Sequence, residues 1–544
     1  MQIHMENNLG IPKNDPKSSH IRDAKHIAKS AGIIGSATLL SRILGFVRDC
    51  IIAKLFGTSS PAQAFVIAFT IPNMLRDLVG EGAANAAFVP VLTEYKTRHT
   101  KEEFWQLANI LLNVMLVVLM LITLLGIIFT PLIIRIIAPG FISQPEKLNE
   151  TITLARIMFP YILLIGLTAY AGGVLNSLKH FSMPALGPCV MNMAMIIIPL
   201  VFSTRMRDSV LALAIAVLAG GILQLAIQIP VLRKKGMRYK AEINFRHPAV
   251  RQIGRLLVPR ALASSIYQLN IVVNRMCSSL TFIVGEGAPA ALYYANRLFQ
   301  FPLAIFGIAL SQAALPTLSE QAQESSLVRF KETLSFALRL IFFISLPAAV
   351  GLGVLRVPIT QVLFQHGVFD AYSTSITATA VLFYSFGLIF YAGNNVLNSS
   401  FYSLKDTMTP VKIAVAALLF NIVLNVSLMR PLKVGGLALS TTLSGALSFI
   451  LLLIFLRKKI GNMRIKEILF DFLRIFAASV IMGLVIFVLN NKFYYRLQNS
   501  GMFIKAAYIC WFLFVGALTY ILSAFVFRVD EIKMIITSLR ARTK

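Results

Sequence analysis

The sequence predicts an all-α, polytopic membrane protein of about fourteen transmembrane helices. Two six-helix halves, related by a pseudo-twofold along the membrane normal, precede two further C-terminal helices. Three observations carry this prediction: apolar runs too long for a soluble core, basic residues concentrated in alternate loops, and an internal repeat at an offset of 226 residues.

The apolar runs come first. Of 544 residues, 57% are hydrophobic and 14% charged, and the mean hydropathy is +0.75. A soluble domain holds about 45–50% apolar and about 25% charged residues. Leu107–Ile134 contains no charge, and Val210–Leu232, Leu437–Leu456 and Ala506–Phe527 are similar. Each exceeds or approaches the roughly 20 residues that cross a hydrocarbon core of about 30 Å. The alternating short segments of a membrane β-barrel do not occur. The spans run from 30–56 to 503–527, with residues 356–366 readable as part of the ninth.

The net charge of +28 raises nucleic acid as a partner, but its distribution excludes it. Arg233-Lys-Lys-Gly-Met-Arg238 and Arg457-Lys-Lys459 stand between spans. The loops following even-numbered spans are the basic ones, which predicts both termini in the cytoplasm. Contact with anionic membrane lipids is a side effect of such loops. Residues 1–29 are polar and basic, lack the apolar core of a secretory signal, and read as a cytoplasmic extension. The four cysteines have no CxxC spacing. The histidines lie in loops without metal-ligand spacing, and no phosphate-binding GxxxxGK[ST] loop is present. No enzyme is indicated.

The repeat sets the domain organisation. Pro90-Val-Leu-Thr-Glu94 matches Pro316-Thr-Leu-Ser-Glu320; Ser177-Leu-Lys179 with Pro184 matches Ser403-Leu-Lys405 with Pro410; Leu211-Ala-Leu-Ala214 matches Leu437-Ala-Leu-Ser440. All three pairs share one register. They divide the chain into an N-terminal extension (1–29), an N-lobe (30–235), a basic cytoplasmic linker (236–251), a C-lobe (252–460) and the last two spans with a cytoplasmic tail (461–544). An even number of spans per half keeps both halves in one orientation, as in parallel-repeat transporters that hold substrate between their halves.

Charges inside the spans supply candidate functional residues: Arg42, Arg48, Asp49, Arg76, Asp77, Glu81, Arg260, Arg275 and Arg297. An Arg or Asp at a helix centre costs about 2.5–3.5 kcal/mol to insert. Either these groups pair with one another or reach an interface, or the arginines face a water-filled cavity and hold an anion. Guanidinium suits the second role, because its fork matches phosphate oxygens in pairs. Arginines outnumber acids in the first two spans and the eighth, which favours an anionic substrate over an organic cation. Pro72, Pro90, Pro160, Pro259 and Pro302 are expected to kink spans around such a cavity.

Ser41-Arg-Ile-Leu-Gly-Phe-Val-Arg-Asp49, Ile71-Pro-Asn-Met-Leu-Arg76, Gly80-Glu-Gly-Ala83, Ala87-Phe-Val-Pro-Val-Leu-Thr-Glu-Tyr95, Ala138-Pro-Gly-Phe141, Phe159-Pro-Tyr-Ile-Leu-Leu164, Tyr293-Tyr-Ala-Asn-Arg-Leu298 and Phe401-Tyr-Ser-Leu404 resemble the MurJ/MviN lipid II flippases. The resemblance covers about residues 30–460. It implies a fourteen-span member of the multidrug/oligosaccharidyl-lipid/polysaccharide exporter superfamily in the bacterial inner membrane. Such a protein moves undecaprenyl-diphosphate-linked disaccharide-pentapeptide between leaflets for peptidoglycan synthesis, as a monomer beside other cell-wall synthesis proteins. Another polyprenyl-diphosphate oligosaccharide, or a drug, is the alternative cargo of this superfamily. The family's cavity arginines fall on Arg42, Arg48, Arg76 and Arg297, with Asp49, Asn73, Glu81 and Asn296 supporting them. The last two spans resemble a pair that forms a groove for the lipid tail. The resemblance also implies a sodium site at Asn274, Asn421, Asn425 and Thr441. There asparagines replace two aspartates, as Gln63 and Asn296 replace aspartates of other members.

Overall fold

A computed structural model describes residues 16–76, 83–203, 205–206, 208–463, 465–529 and 531–532. The first half comprises α1 (Pro16–Phe56), α2 (Ser60–Arg76), α3 (Ala83–Arg98), α4 (Lys101–Ile137), α5 (Pro145–Met158), α6 (Tyr161–Ser177), α7 (Ser182–Phe202), α8 (Leu211–Ala226) and α9 (Ile229–Lys235). The second comprises α10 (Pro248–Ser279), α11 (Thr281–Val284), α12 (Ala288–Pro302), α13 (Ala309–Gln321), α14 (Val328–Val354), α15 (Arg356–Phe364), α16 (Ala371–Ser403) and α17 (Met408–Ile460). Then come α18 (Ile465–Asn499) and α19 (Met502–Val526).

Ten helical stretches among the described residues are long and apolar enough to cross a membrane. One of them, α17, carries a non-helical residue, Lys433 (φ 50°), just after Pro431, so that it supplies the two spans expected at 410–429 and 435–456. The charge-bearing α1, α2, α3 and α10 are not among the ten. They are the helices whose arginines marked them as functional. Residues 356–364 form a separate helix, because the chain breaks at Leu355.

Proline accounts for several further breaks. Pro160 separates α5 from α6, and Pro302 precedes a π-helical stretch, Leu303–Ile308, leading into α13. A helix interior without its N–H loses a backbone bond, and a wider turn absorbs the misfit. Large apolar side chains such as Leu121, Ile128, Phe129 and Leu132 of α4 are more than half exposed, as befits a surface whose solvent is lipid.

The repeat is visible bond for bond. His180 N–H donates to Leu175 O and Asp406 N–H to Phe401 O; Lys179 N–H donates to Asn176 O and Lys405 N–H to Tyr402 O. Lys179 and Lys405 both adopt left-handed φ, 60° and 58°. Pro90 and Pro316 both lie inside helices, α3 and α13. Each half therefore closes this turn in the same way.

Three apolar cores divide the molecule unequally. One joins the halves at one end: Phe56, Phe65 and Phe141 of the first half share it with Tyr294, Phe364 and Phe369 of the second. Of the other two, one lies at the opposite end of the first half and one runs along the second half. One unites α3, α4 and α6 with Ala249 and Ile253 at the start of α10. The second unites α13, α14, α16 and α17 with α18 and α19. The halves thus share one large core at one end, while elsewhere the second half has a core of its own and the first half's other core takes in only the start of α10. The basic linker is folded against α4: Asn109 Nδ2 donates to Arg238 O at 2.9 Å, and Asn113 Nδ2 to Lys240 O at 2.8 Å.

Candidate functional site

Where the halves meet in mid-span, α1 and α12 form a polar cluster around one carboxylate. Asp49 is 2% exposed. Its Oδ1 accepts from Arg48 Nε (3.0 Å), Arg48 Nη2 (2.8 Å) and the Tyr293 hydroxyl (2.8 Å). Its Oδ2 pairs with Arg297 Nε at 3.0 Å. Arg297 Nη2 also reaches the Tyr293 hydroxyl at 3.3 Å, and its guanidinium lies 5.0 Å from the Tyr293 ring centroid. One carboxylate thus bridges an arginine from each half.

Helix periodicity makes this possible. Tyr293 and Arg297 are four apart on α12, one above the other on a single face. Arg48 is held from its far side as well: Nη1 donates to Asn192 Oδ1 of α7 at 3.0 Å, and Asn192 Nδ2 donates to Ser41 O at 2.9 Å. Arg48 is buried, whereas the Arg297 side chain is 34% exposed.

The other expected residues are distributed as follows. Arg42 is exposed on α1, with no ion pair or side-chain hydrogen bond to the described residues. Arg76 is half-buried at the end of α2, with Asn73 half-buried one turn before it, and Asn296 is half-buried beside Arg297. Asp77 and Glu81 lie outside the described residues, as does the side chain of Arg260. Arg275 donates through Nη1 to Pro289 O in the first turn of α12, at 3.1 Å. It lies within Coulombic range of Tyr293, Tyr384 and Arg297. Tyr293 and Asn192 escaped sequence reasoning as ligands of the cluster, because a neutral polar group in a span carries little energetic signal.

The implied sodium ligands come together but do not fit a cation. Asn425 Nδ2 donates to Asn274 Oδ1 at 3.0 Å and Asn421 Oδ1 at 2.9 Å, and Asn274 Nδ2 donates to Asn270 Oδ1 at 3.0 Å. The Asn270, Asn274 and Asn421 oxygens each accept one amide N–H, and Asn425 Oδ1 accepts none. The Thr441 hydroxyl donates to Leu437 O. No carboxylate joins them among the described residues, and the next residue after Asn274 is the cation Arg275.

At the welded end a second polar assembly closes the seam. Lys147 Nζ donates to Gln63 Oε1 (2.8 Å) and Glu286 Oε2 (3.2 Å), while Gln144 Nε2 donates to Glu286 Oε1 (3.0 Å). The Tyr372 hydroxyl caps Glu286 O, Thr58 and Ser373 hydroxyls meet at 2.8 Å, and Val368 N–H donates to Lys54 O. Gly140 N–H donates to Ser279 Oγ. A Cβ on Gly140 would stand 2.0 Å from Ser279 O, which explains the glycine of the Ala138-Pro-Gly-Phe141 motif. Burial raises the Glu286 carboxyl, but hydrogen bonds from Gln144, Thr281 and Lys147 and the Lys147 charge outweigh it and bring it to about 2.

A twofold helical bundle, joined across one end and carrying a carboxylate shared by an arginine of each half, is the architecture of a membrane transporter. The family model described as lipid II flippase MurJ matches residues 52–507, and the chain belongs to that family. A probable lipid II flippase MurJ of Buchnera aphidicola subsp. Acyrthosiphon pisum is 35% identical over 89% of this chain and 94% of its own length. The lipid II flippase MurJ of Burkholderia cenocepacia is 35% identical over 78% of this chain and 83% of its own. A solved lipid II flippase MurJ in an inward closed conformation superposes with a TM-score of 0.77 at 29% identity, covering 92% of this chain and 99% of that one. An inward-facing multidrug resistance MATE transporter shares the fold at a TM-score of 0.64 and 16% identity, over 80% of this chain and 99% of its own.

Proposed function

We propose that this multi-pass membrane protein moves lipid II from the cytoplasmic to the periplasmic leaflet by alternating access, holding its diphosphate with Arg42, Arg48, Arg76 and Arg297. The observation that carries the reading is the single Asp49 carboxylate shared between Arg48 and Arg297. Described arginines outnumber acids in this region, so an arriving diphosphate meets guanidinium donors that Asp49 satisfies only in part. Asp49 acts as a resident anion. It keeps two costly charges compensated while cargo is absent, and yields the half-exposed Arg297 to the diphosphate when cargo arrives.

With both termini in the cytoplasm, the welded seam faces the periplasm and the opposite end, where the start of α10 packs on α3 and α4, faces the cytoplasm, where lipid II is made. Binding of the diphosphate across both halves tightens that inner contact. Opening the seam at Lys147 and Glu286 then releases the head group outward. No step is routed through sodium.

The test is complementation of a cell depleted of its own flippase, combined with detection of lipid II on the outer leaflet. Alanine at Arg42, Arg48, Arg76 or Arg297 is expected to abolish both readouts while the protein still inserts. Lysine at Arg297 restores charge but not the paired hydrogen bonds, so partial activity is expected there. Full growth with all four alanine variants would overturn the site. Growth without exposed lipid II would overturn the transport reading.

A further inference from the structure

A cavity of about 480 Å³ opens on the outer flank of the second half, between α14, α15, α16 and α18. No residue of α1, α12 or α19 lines it, so it is separate from the arginine cluster and from any groove between the last two spans. Phe386 and Phe487 stand on its walls, each about half exposed, and so it opens toward lipid.

The cavity is graded from apolar to polar. From Phe476 to Asn490 it follows α18 for fourteen residue steps, about 21 Å along the axis, close to the depth of one leaflet with its head-group layer. Apolar side chains including Leu346, Ile389 and Phe476 line its shaft. Arg356, Gln361, Asn490 and Asn491 gather where α14 breaks into α15 and α18 nears its end. This is the end of the bundle that carries the closed seam.

Two unfilled valences sit in that polar mouth. Arg356 donates through Nη1 to Gly353 O at 2.9 Å and has no ion pair among the described residues, although a guanidinium carries five donors. Asn490 Oδ1 is buried and accepts no hydrogen bond. A buried acceptor without a donor costs about 1–3 kcal/mol, so the pair calls for a ligand bearing both a negative group and a donor. We propose that this cavity binds an anionic phospholipid of the leaflet on the seam side, its phosphate on Arg356, a head-group hydroxyl donating to Asn490 Oδ1, and one acyl chain in the shaft.

Phosphatidylglycerol has the phosphate and the hydroxyl donors; phosphatidylcholine has the phosphate, a neutralising cation and no donor. Native mass spectrometry of the delipidated full-length protein, titrated with each lipid, tests the proposal. The wild type is expected to retain phosphatidylglycerol in preference to phosphatidylcholine. Arg356→Gln is expected to weaken phosphatidylglycerol binding about tenfold, the worth of one charge-assisted hydrogen bond. Ile389→Trp, which fills the shaft, is expected to remove retention of both lipids. Because Arg356 is partly exposed, Arg356→Gln folds and remains informative if Ile389→Trp does not. Equal retention of the two lipids by the wild type, or an undiminished preference in Arg356→Gln, would overturn the proposal. So would displacement of phosphatidylglycerol by undecaprenyl phosphate with a dependence on Arg356, which would assign the cavity to the polyprenyl carrier instead.

Discussion

At Asp49 the physical chemistry of the cluster concentrates in one carboxylate. Its two oxygens accept four donors from three side chains, in an interior where an uncompensated charge is costly. Asp49→Asn leaves Arg48 buried with Asn192 as its remaining strong partner and frees Arg297 entirely from its carboxylate. Removing one member of a buried pair costs about 3 kcal/mol or more. A correspondingly lower midpoint of thermal unfolding is expected in nanodiscs, together with loss of lipid II exposure. If Asp49 serves as the resident anion, added inorganic diphosphate should recover part of the thermal loss in Asp49→Asn and little in the wild type; no recovery would remove that role. The charges of this cluster were legible in the sequence because lone charges in apolar spans are conspicuous. Their partners were not. Asn192 and Tyr293 are ordinary residues in spans, and only the packing of α7 and α12 against α1 gives them work.

Among the elements, close backbone approach fixes how the halves join. The turn Pro139–Ser143 meets the C-terminal end of α10, and a Cβ at Gly140 would come to 2.0 Å from Ser279 O and 2.7 Å from Leu280 Cα. Backbone atoms cannot rotate away, so Gly140→Val forces the two segments apart. Overpacking of this kind costs about 1–3 kcal/mol. Gly140→Val is expected to lower the unfolding temperature and to make an engineered Ser279→Cys reactive to a membrane-impermeant thiol reagent from the seam side. Gly254→Ala in α10, with nothing within 4 Å of its Cβ, should change neither. Unchanged Ser279→Cys reactivity in the Gly140→Val background would show that the seam does not depend on this approach. Elements themselves were largely readable, because span length and proline position follow from local sequence. The break at Leu355 was ambiguous, since Gly351-Leu-Gly-Val-Leu355 is apolar throughout and its end is set by packing.

For the whole molecule, function requires that the halves be joined at one end without being fused there. The 226-residue repeat announced two like-oriented halves, and its turns recur bond for bond. The seam between them has no counterpart in the repeat: Lys147, Gln144 and Gln63 come from one half, Glu286 and Tyr372 from the other. Residues of ordinary polarity at the ends of spans gave no sequence signal of this role. The assembly is polar and partly wetted, and so it can break and re-form where an apolar weld could not. Lys147 is the buried partner, at 4% exposure, and Glu286 the accessible one, at 56%. A pair so exposed on one side contributes about 1 kcal/mol, enough to bias the seam and too little to lock it. Because the Glu286 carboxyl is held at about 2 against an ordinary 4.5, its contribution is complete above the ordinary value. It is lost as pH falls from there through about 2. Protein with an otherwise native seam in nanodiscs should therefore show seam opening, read as distance between spin labels at the exposed positions Ser60 and Ala371, that grows as pH drops through that window. Glu286→Gln removes the titrating group while keeping the amide's hydrogen-bonding capacity. Its seam should be looser at neutral pH and insensitive to acid over the same range. An acid response of equal size in Glu286→Gln would assign the pH dependence to another group and leave the Lys147 contact without a part in holding the halves closed.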